Sequence, residues 1–74
     1  MRIRKSKLKD FEGEKITFQY DGPDHPNGKI GTQRVTGQII KVDIDSFKID
    51  IHRYPDTKLT INNIKQGSIK RRYN

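Results

Sequence analysis

The chain has 74 residues, 30% hydrophobic and 34% charged, with a formal charge of +7 and no cysteine. That size allows one domain with a thin core, and the missing cysteine excludes a disulfide framework and any thiolate site. No apolar run approaches the roughly 18 residues that span a bilayer, and no apolar segment follows the basic N-terminus to make a signal peptide, so a soluble cytoplasmic protein is expected.

Residues 1–14 read as a basic arm ahead of a body spanning 15–74. Arg2, Arg4, Lys5, Lys7 and Lys9 put five bases and no acid in the first nine residues. Ile3, Leu8 and Phe11 are spaced too irregularly for a strand. Residues 5–11 allow one short helical turn before Gly13 stops it. Removing residues 1–9 is expected to leave the fold intact.

From Lys15 the period becomes 2. Ile16, Phe18 and Tyr20 alternate with Lys15, Thr17 and Gln19, the mark of a half-buried strand. Residues 21–31 hold three Gly, two Pro and an Asn-Gly pair, which make a long loop. Residues 33–45 form a second strand with a change of parity. Val35, Gly37 and Ile39 share one phase; Ile40, Val42 and Ile44 share the other. A bulge or sharp bend at Ile39-Ile40, eased by Gly37, returns both sets to the core. Asp45-Ser46 reads as a tight turn. Phe47, Ile49 and Ile51 mark a third strand. Residues 53–57 read as a turn around Pro55. Leu59 and Ile61 mark a fourth strand, and residues 68–73 a short fifth. The expected fold is all-β: a five-stranded small barrel or strongly bent antiparallel sheet, SH3-like or Sm-like.

The residues from Ile16 to Ile69 resemble a small Sm-like barrel. The resemblance rests on Val35-Thr36-Gly37-Gln38-Ile39-Ile40-Lys41-Val42-Asp43, then Phe47 to Ile51, then Leu59 to Ile64 with Ser68-Ile69. Sm-like and Hfq-type proteins show a similar glycine, a bent strand ending near an Asp, a hairpin and a short strand pair. The YolD-like family of bacteria and their phages is also similar. The Tyr-Lys-His run of Hfq-type proteins is absent, and Ile61-Asn62-Asn63-Ile64 stands near its place. The basic-Gly pair of archaeal Sm proteins is absent too. The resemblance therefore implies a fold, and it transfers neither an RNA pocket nor a ring.

The charge is unevenly placed. Lys65, Lys70, Arg71 and Arg72 put four bases and no acid in residues 65–74, while residues 10–64 hold seven bases and nine acids. Two basic ends on a slightly acidic body suggest a polyanion partner; the competing reading is plain solubility. The candidate nucleic-acid-binding set is Arg2, Arg4, Lys5, Lys7, Lys9, Lys65, Lys70, Arg71, Arg72 and Tyr73. Four arm contacts would make log K fall with log salt at a slope near −3.6 on duplex DNA.

Other constellations are weaker. His25 stands beside Asp24, but Pro23 and Pro26 restrict ligand geometry and the spacing matches no calcium loop. A partner-contacting loop is the better reading. Asp43, Asp45 and Asp50 fall outward around one hairpin, where cross-strand pairing with Lys41 and Lys48 explains them better than a magnesium site. Phe18, Tyr20 and Phe47 read as core, leaving Tyr54 as the surplus aromatic. No triad and no carboxylate pair with a positioned base is visible. A non-enzymatic module is expected, with no metal and no cofactor, that binds DNA or RNA. The alternatives are an accessory or inhibitor protein of a phage or other mobile element that docks on a nucleic-acid enzyme, and a ring subunit.

Overall fold

The alternating hydrophobic pattern folds as five antiparallel strands in a computed structural model that describes residues 4–72. These are β1 (Lys15–Tyr20), β2 (Gln33–Val42), β3 (Ser46–Ile51), β4 (Tyr54–Thr60) and β5 (Lys70–Arg71). They form one bent sheet in the order β4-β3-β2-β1-β5. A 3-10 helix, η1 (Lys5–Phe11), precedes it, and a shorter one, η2 (Ile61–Asn63), follows β4. The ladder is not closed from β4 to β5. Instead η2 carries the chain back to β1, where Asp21 N donates to Asn63 O and Lys65 N to Gln19 O, both at 2.9 Å.

One face of each long strand supplies the core. Ile16, Phe18 and Tyr20 from β1 meet Val35 and Ile39 from β2, Phe47 and Ile49 from β3, and Leu59 from β4. Phe18 sits edge-on to both Tyr20 and Phe47, with ring centroids 6.3 and 5.8 Å apart, a favoured aromatic geometry. Ile64 and Ile69 seal the return to β1 and are buried.

Four sequence expectations need correction. First, the described part of the basic segment, from Lys5, is packed on the body rather than free. In a 3-10 helix, positions i and i+3 eclipse, so Leu8 and Phe11 present one apolar face, and both are buried. Second, the bulge falls at Ile39/Lys41, but of the second parity set only Val42 reaches the core. Ile40 is the bulged residue, half exposed, and Ile44 sits fully exposed in the following turn. Third, Pro55 lies in β4, not in a turn. Positive φ at Arg53 helps make the turn, and Asp56 at φ 58 marks a bulge against β3. Pro is tolerated there because β4 is an edge strand. Fourth, Lys41 and Lys48 are each other's cross-strand partners; Lys41 does not pair with an aspartate.

Gly37 permits the sharp curvature of β2. A Cβ there would lie 2.5 Å from the Asp50 carbonyl oxygen and 2.9 Å from Ile49 Cγ1. Gly37→Ala is expected to destabilise by about 1–3 kcal/mol through overpacking, read as a lower urea midpoint. Leu8→Ala is expected to cost about 2–4 kcal/mol. An unchanged midpoint in the Leu8 variant would show that η1 is dispensable to the core.

Candidate functional site

The outer face of β1 is the floor of a basic groove. Strand alternation turns Thr17 and Gln19 outward while Phe18 fills the core. Antiparallel pairing then fixes their neighbours. Thr17 stands opposite Thr36 of β2 and Lys70 of β5. Gln19 stands opposite Arg34 of β2, and its backbone N–H donates to Ser68 Oγ at 3.1 Å. One residue past β5, Arg72 N donates to Lys15 O. These placements enclose an open groove of about 420 Å³, lined by Thr17, Phe18, Gln19, Arg34, Lys65, Gln66, Gly67, Ser68, Lys70 and Arg72. Four of these side chains are cationic and none is acidic. Among the described residues, none of the four cations makes an ion pair. The only hydroxyl of the 65–68 turn is already engaged: Ser68 Oγ donates to Lys65 O at 2.7 Å.

The basic residues singled out in the sequence separate into distinct places. Lys65, Lys70 and Arg72 line the groove. Arg71 points to the other side of β5. Its guanidinium lies 5.2 Å from the centre of the Phe11 ring, and it grips Glu14 through Nε at 3.1 Å and Nη2 at 3.3 Å. It clips η1 to the sheet. Lys5 reaches the Asn62 carbonyl oxygen at 3.4 Å. Arg4, which caps η1, and Lys7 and Lys9 on it are exposed and line neither this groove nor the cleft beside it. Arg2 and Tyr73 lie outside the described residues. Arg34 was missed, because its place opposite Gln19 follows from the β1–β2 register and not from a run of like charge. The adjoining cleft shares Arg72 and mixes Lys15 and Arg71 with Glu14 and Asp50.

Compared with protein-family models, curated proteins and solved structures, the chain matches none. The likeness to Sm-like and YolD-like families is thus carried by the residue pattern alone.

The 21–31 loop is anchored, and its acid and histidine serve different partners. Tyr20 Oη donates to Asp24 Oδ1 at 2.6 Å and accepts from Thr60 N at 2.9 Å. Asp24 Oδ2 accepts from Thr60 Oγ1 at 3.2 Å. His25 is buried, and its Nδ1 accepts from Asn27 N at 3.2 Å. Gly22 is closely packed here: a Cβ would lie 2.5 Å from Asn63 Nδ2 and 2.9 Å from Tyr20 Cε2, so the Asn63 side chain would have to move. Among the described residues, no three His, Asp or Glu side chains gather as a metal site. Ile30 is the one large hydrophobic of the loop, and it is fully exposed.

Burial, and then the bond to Asp24, push the Tyr20 phenol above its ordinary value of 10.0. Folding therefore favours the neutral phenol. The stability this provides is complete below the ordinary value and declines as pH rises through the raised folded-state value. Tyr20→Phe is expected to cost about 1–3 kcal/mol at neutral pH, because Thr60 N loses its acceptor. The variant should also show a weaker alkaline loss of stability than the wild type, measured by urea melts between neutral and strongly alkaline pH.

Proposed function

We propose that the protein is a non-enzymatic module that binds nucleic acid through its phosphate backbone. The observation that carries this reading is the groove of Arg34, Lys65, Lys70 and Arg72 with no carboxylate in its lining. Its floor of Thr17, Gln19 and Ser68 is neutral between cationic walls; the Thr17 and Ser68 hydroxyls are engaged with Thr36 and Lys65, which leaves the Gln19 side-chain amide as the donor on the floor. Phosphates are held by such an arrangement of charge and hydrogen bonding, and these contacts position a strand without reading its sequence. Phe18 is the only aromatic in the lining and is fully buried, so bases find no stacking platform there. Low sequence preference follows. The groove holds no His, Asp, Glu or Cys to act as a base, which favours binding over catalysis.

In this reading the C-terminal bases and Arg34 make the contacts. Arg4, Lys7 and Lys9, at and within η1, add long-range attraction, effective within a Debye length of about 8 Å at physiological salt. A protein-docking role has one observation in its favour: Ile30 and Ile44 are fully exposed, beyond opposite ends of β2.

The test is binding to labelled single- and double-stranded DNA and RNA across a salt series. Four phosphate contacts predict a slope of log K against log salt near −2.8 on single strands, about 0.7 for each contact. The double variant Arg34→Ala with Lys70→Ala should flatten that slope by about 1.4 and keep the wild-type melting midpoint within a few degrees. An affinity and slope equal to wild type would defeat the proposal. A lysate partner that survives nuclease treatment would favour the docking role.

A further inference from the structure

A second cationic surface lies on the other half of the sheet. Lys41 of β2 stands directly opposite Lys48 of β3, and Lys48 stands directly opposite Lys58 of β4. All three are exposed. Directly opposed residues have Cβ atoms about 4.5–5.5 Å apart, and like charges so placed are destabilising. Among the described residues, the one ion pair on this row is weak: Lys48 Nζ approaches Asp56 Oδ1 at 4.0 Å, with both side chains well exposed. Among the described residues, Lys41 and Lys58 make none. Three adjacent cations across three strands are poor choices for sheet stability, since a neutral β-former would serve each position better. A bound polyanion reverses that balance, because it turns mutual repulsion into shared attraction.

We infer that the Lys41–Lys48–Lys58 row is a second contact surface for a nucleic-acid backbone, separate from the groove on β1. Arg34 and Lys41 are seven residues apart on β2, roughly 23 Å along an extended strand, in a molecule whose longest extent is 28 Å. One strand that touches both surfaces must follow the outside of the bent sheet from β5 towards β4. The row offers ammonium groups and no aromatic, so it suits phosphates and not bases.

This inference rests on the nucleic-acid reading above, and the experiment separates the two. Lys48→Thr removes the central charge and keeps a good strand former. Single-stranded DNA of about 20 nucleotides, longer than the ~4–16 nucleotides covered by one OB fold, is titrated across a salt series. The wild type, Lys48→Thr, Lys58→Thr and the Arg34→Ala/Lys70→Ala groove variant are compared, with ligand-free melts at low and high salt. Lys48→Thr should melt higher than wild type at low salt, with the gain shrinking as salt rises. It should also bind DNA more weakly and flatten the salt slope by about 0.7. Lys58→Thr should shift both readouts in the same directions. If the lysine variants keep wild-type affinity and slope while the groove variant loses both, the row is not a contact surface and the groove proposal stands. If Lys48→Thr melts lower than wild type at low salt, the repulsion argument is wrong and the inference falls. If the wild type itself does not bind, both readings fall together.

Discussion

Two residue pairs, Ile16↔Arg71 and Thr17↔Lys70, decide where the C-terminal charge goes. β5 is only two residues long, so this register is held from outside it. Ile69, fully buried, anchors the strand from one side. Arg71, stacked on Phe11 and bonded to Glu14, anchors it from the other. Alternation does the rest. Lys70 and Arg72 turn to the outer face of β1, and Arg71 turns towards η1. A slip of one residue would exchange these faces. The groove would then hold a single arginine from the strand, and two cations would face η1. The basic surface is thus a consequence of core packing at Ile69 and not of tail composition.

The acidic residues explain why that surface stays positive. The segment between the basic ends has more acids than bases, yet several of its carboxylates have structural duties elsewhere. Glu12 Oε2 accepts from Val42 N at 2.8 Å near the bulge of β2. Glu14 holds Arg71, and Asp24 ties the long loop to Tyr20 and Thr60. Asp43 and Asp45 lie at the β2–β3 turn, beyond the far end of β2 from Arg34. Net charge alone says little about local field. What matters is that Glu12, Glu14 and Asp24 are used as acceptors elsewhere in the fold and no acid enters the groove, so its lysines and arginines have no such partner in their lining.

The architecture was legible because period-2 alternation is a local signal. β1, the loop after it, the bend in β2 and the hairpin of β3 all follow from which residues repeat and where Gly37 stands. The core role of Leu8 and Phe11 was hidden, since a spacing of three signals nothing in a strand and is too short a stretch to signal an α-helix. Pro55 misled because it favours turns, whereas an edge strand with a bulge also accepts it. The site was only half legible. Runs of like charge pointed to Lys65, Lys70 and Arg72, but not to the difference between Arg71 and Arg72. Arg34 and the opposition of Lys41, Lys48 and Lys58 depend on register between strands, which no single segment encodes.

The two cationic surfaces differ in how the sheet tolerates them. In the groove, Lys70 and Arg34 sit on separate walls with Thr17 and Gln19 between them, so a neutral strip weakens their repulsion. In the lysine row there is no spacer, and the one ion pair it makes among the described residues is the exposed 4.0 Å contact of Lys48 with Asp56. What holds the row together is the opposite face of the same strands. Phe47 pairs with Leu59 and Ile39 with Ile49, all fully buried. Burying a side chain of that size contributes about 1.5–3 kcal/mol, against a few tenths to about 1 kcal/mol for one unfavourable cross-strand pair. The core under β2, β3 and β4 can therefore impose a charge pattern on the outer face that the outer face would not choose for itself.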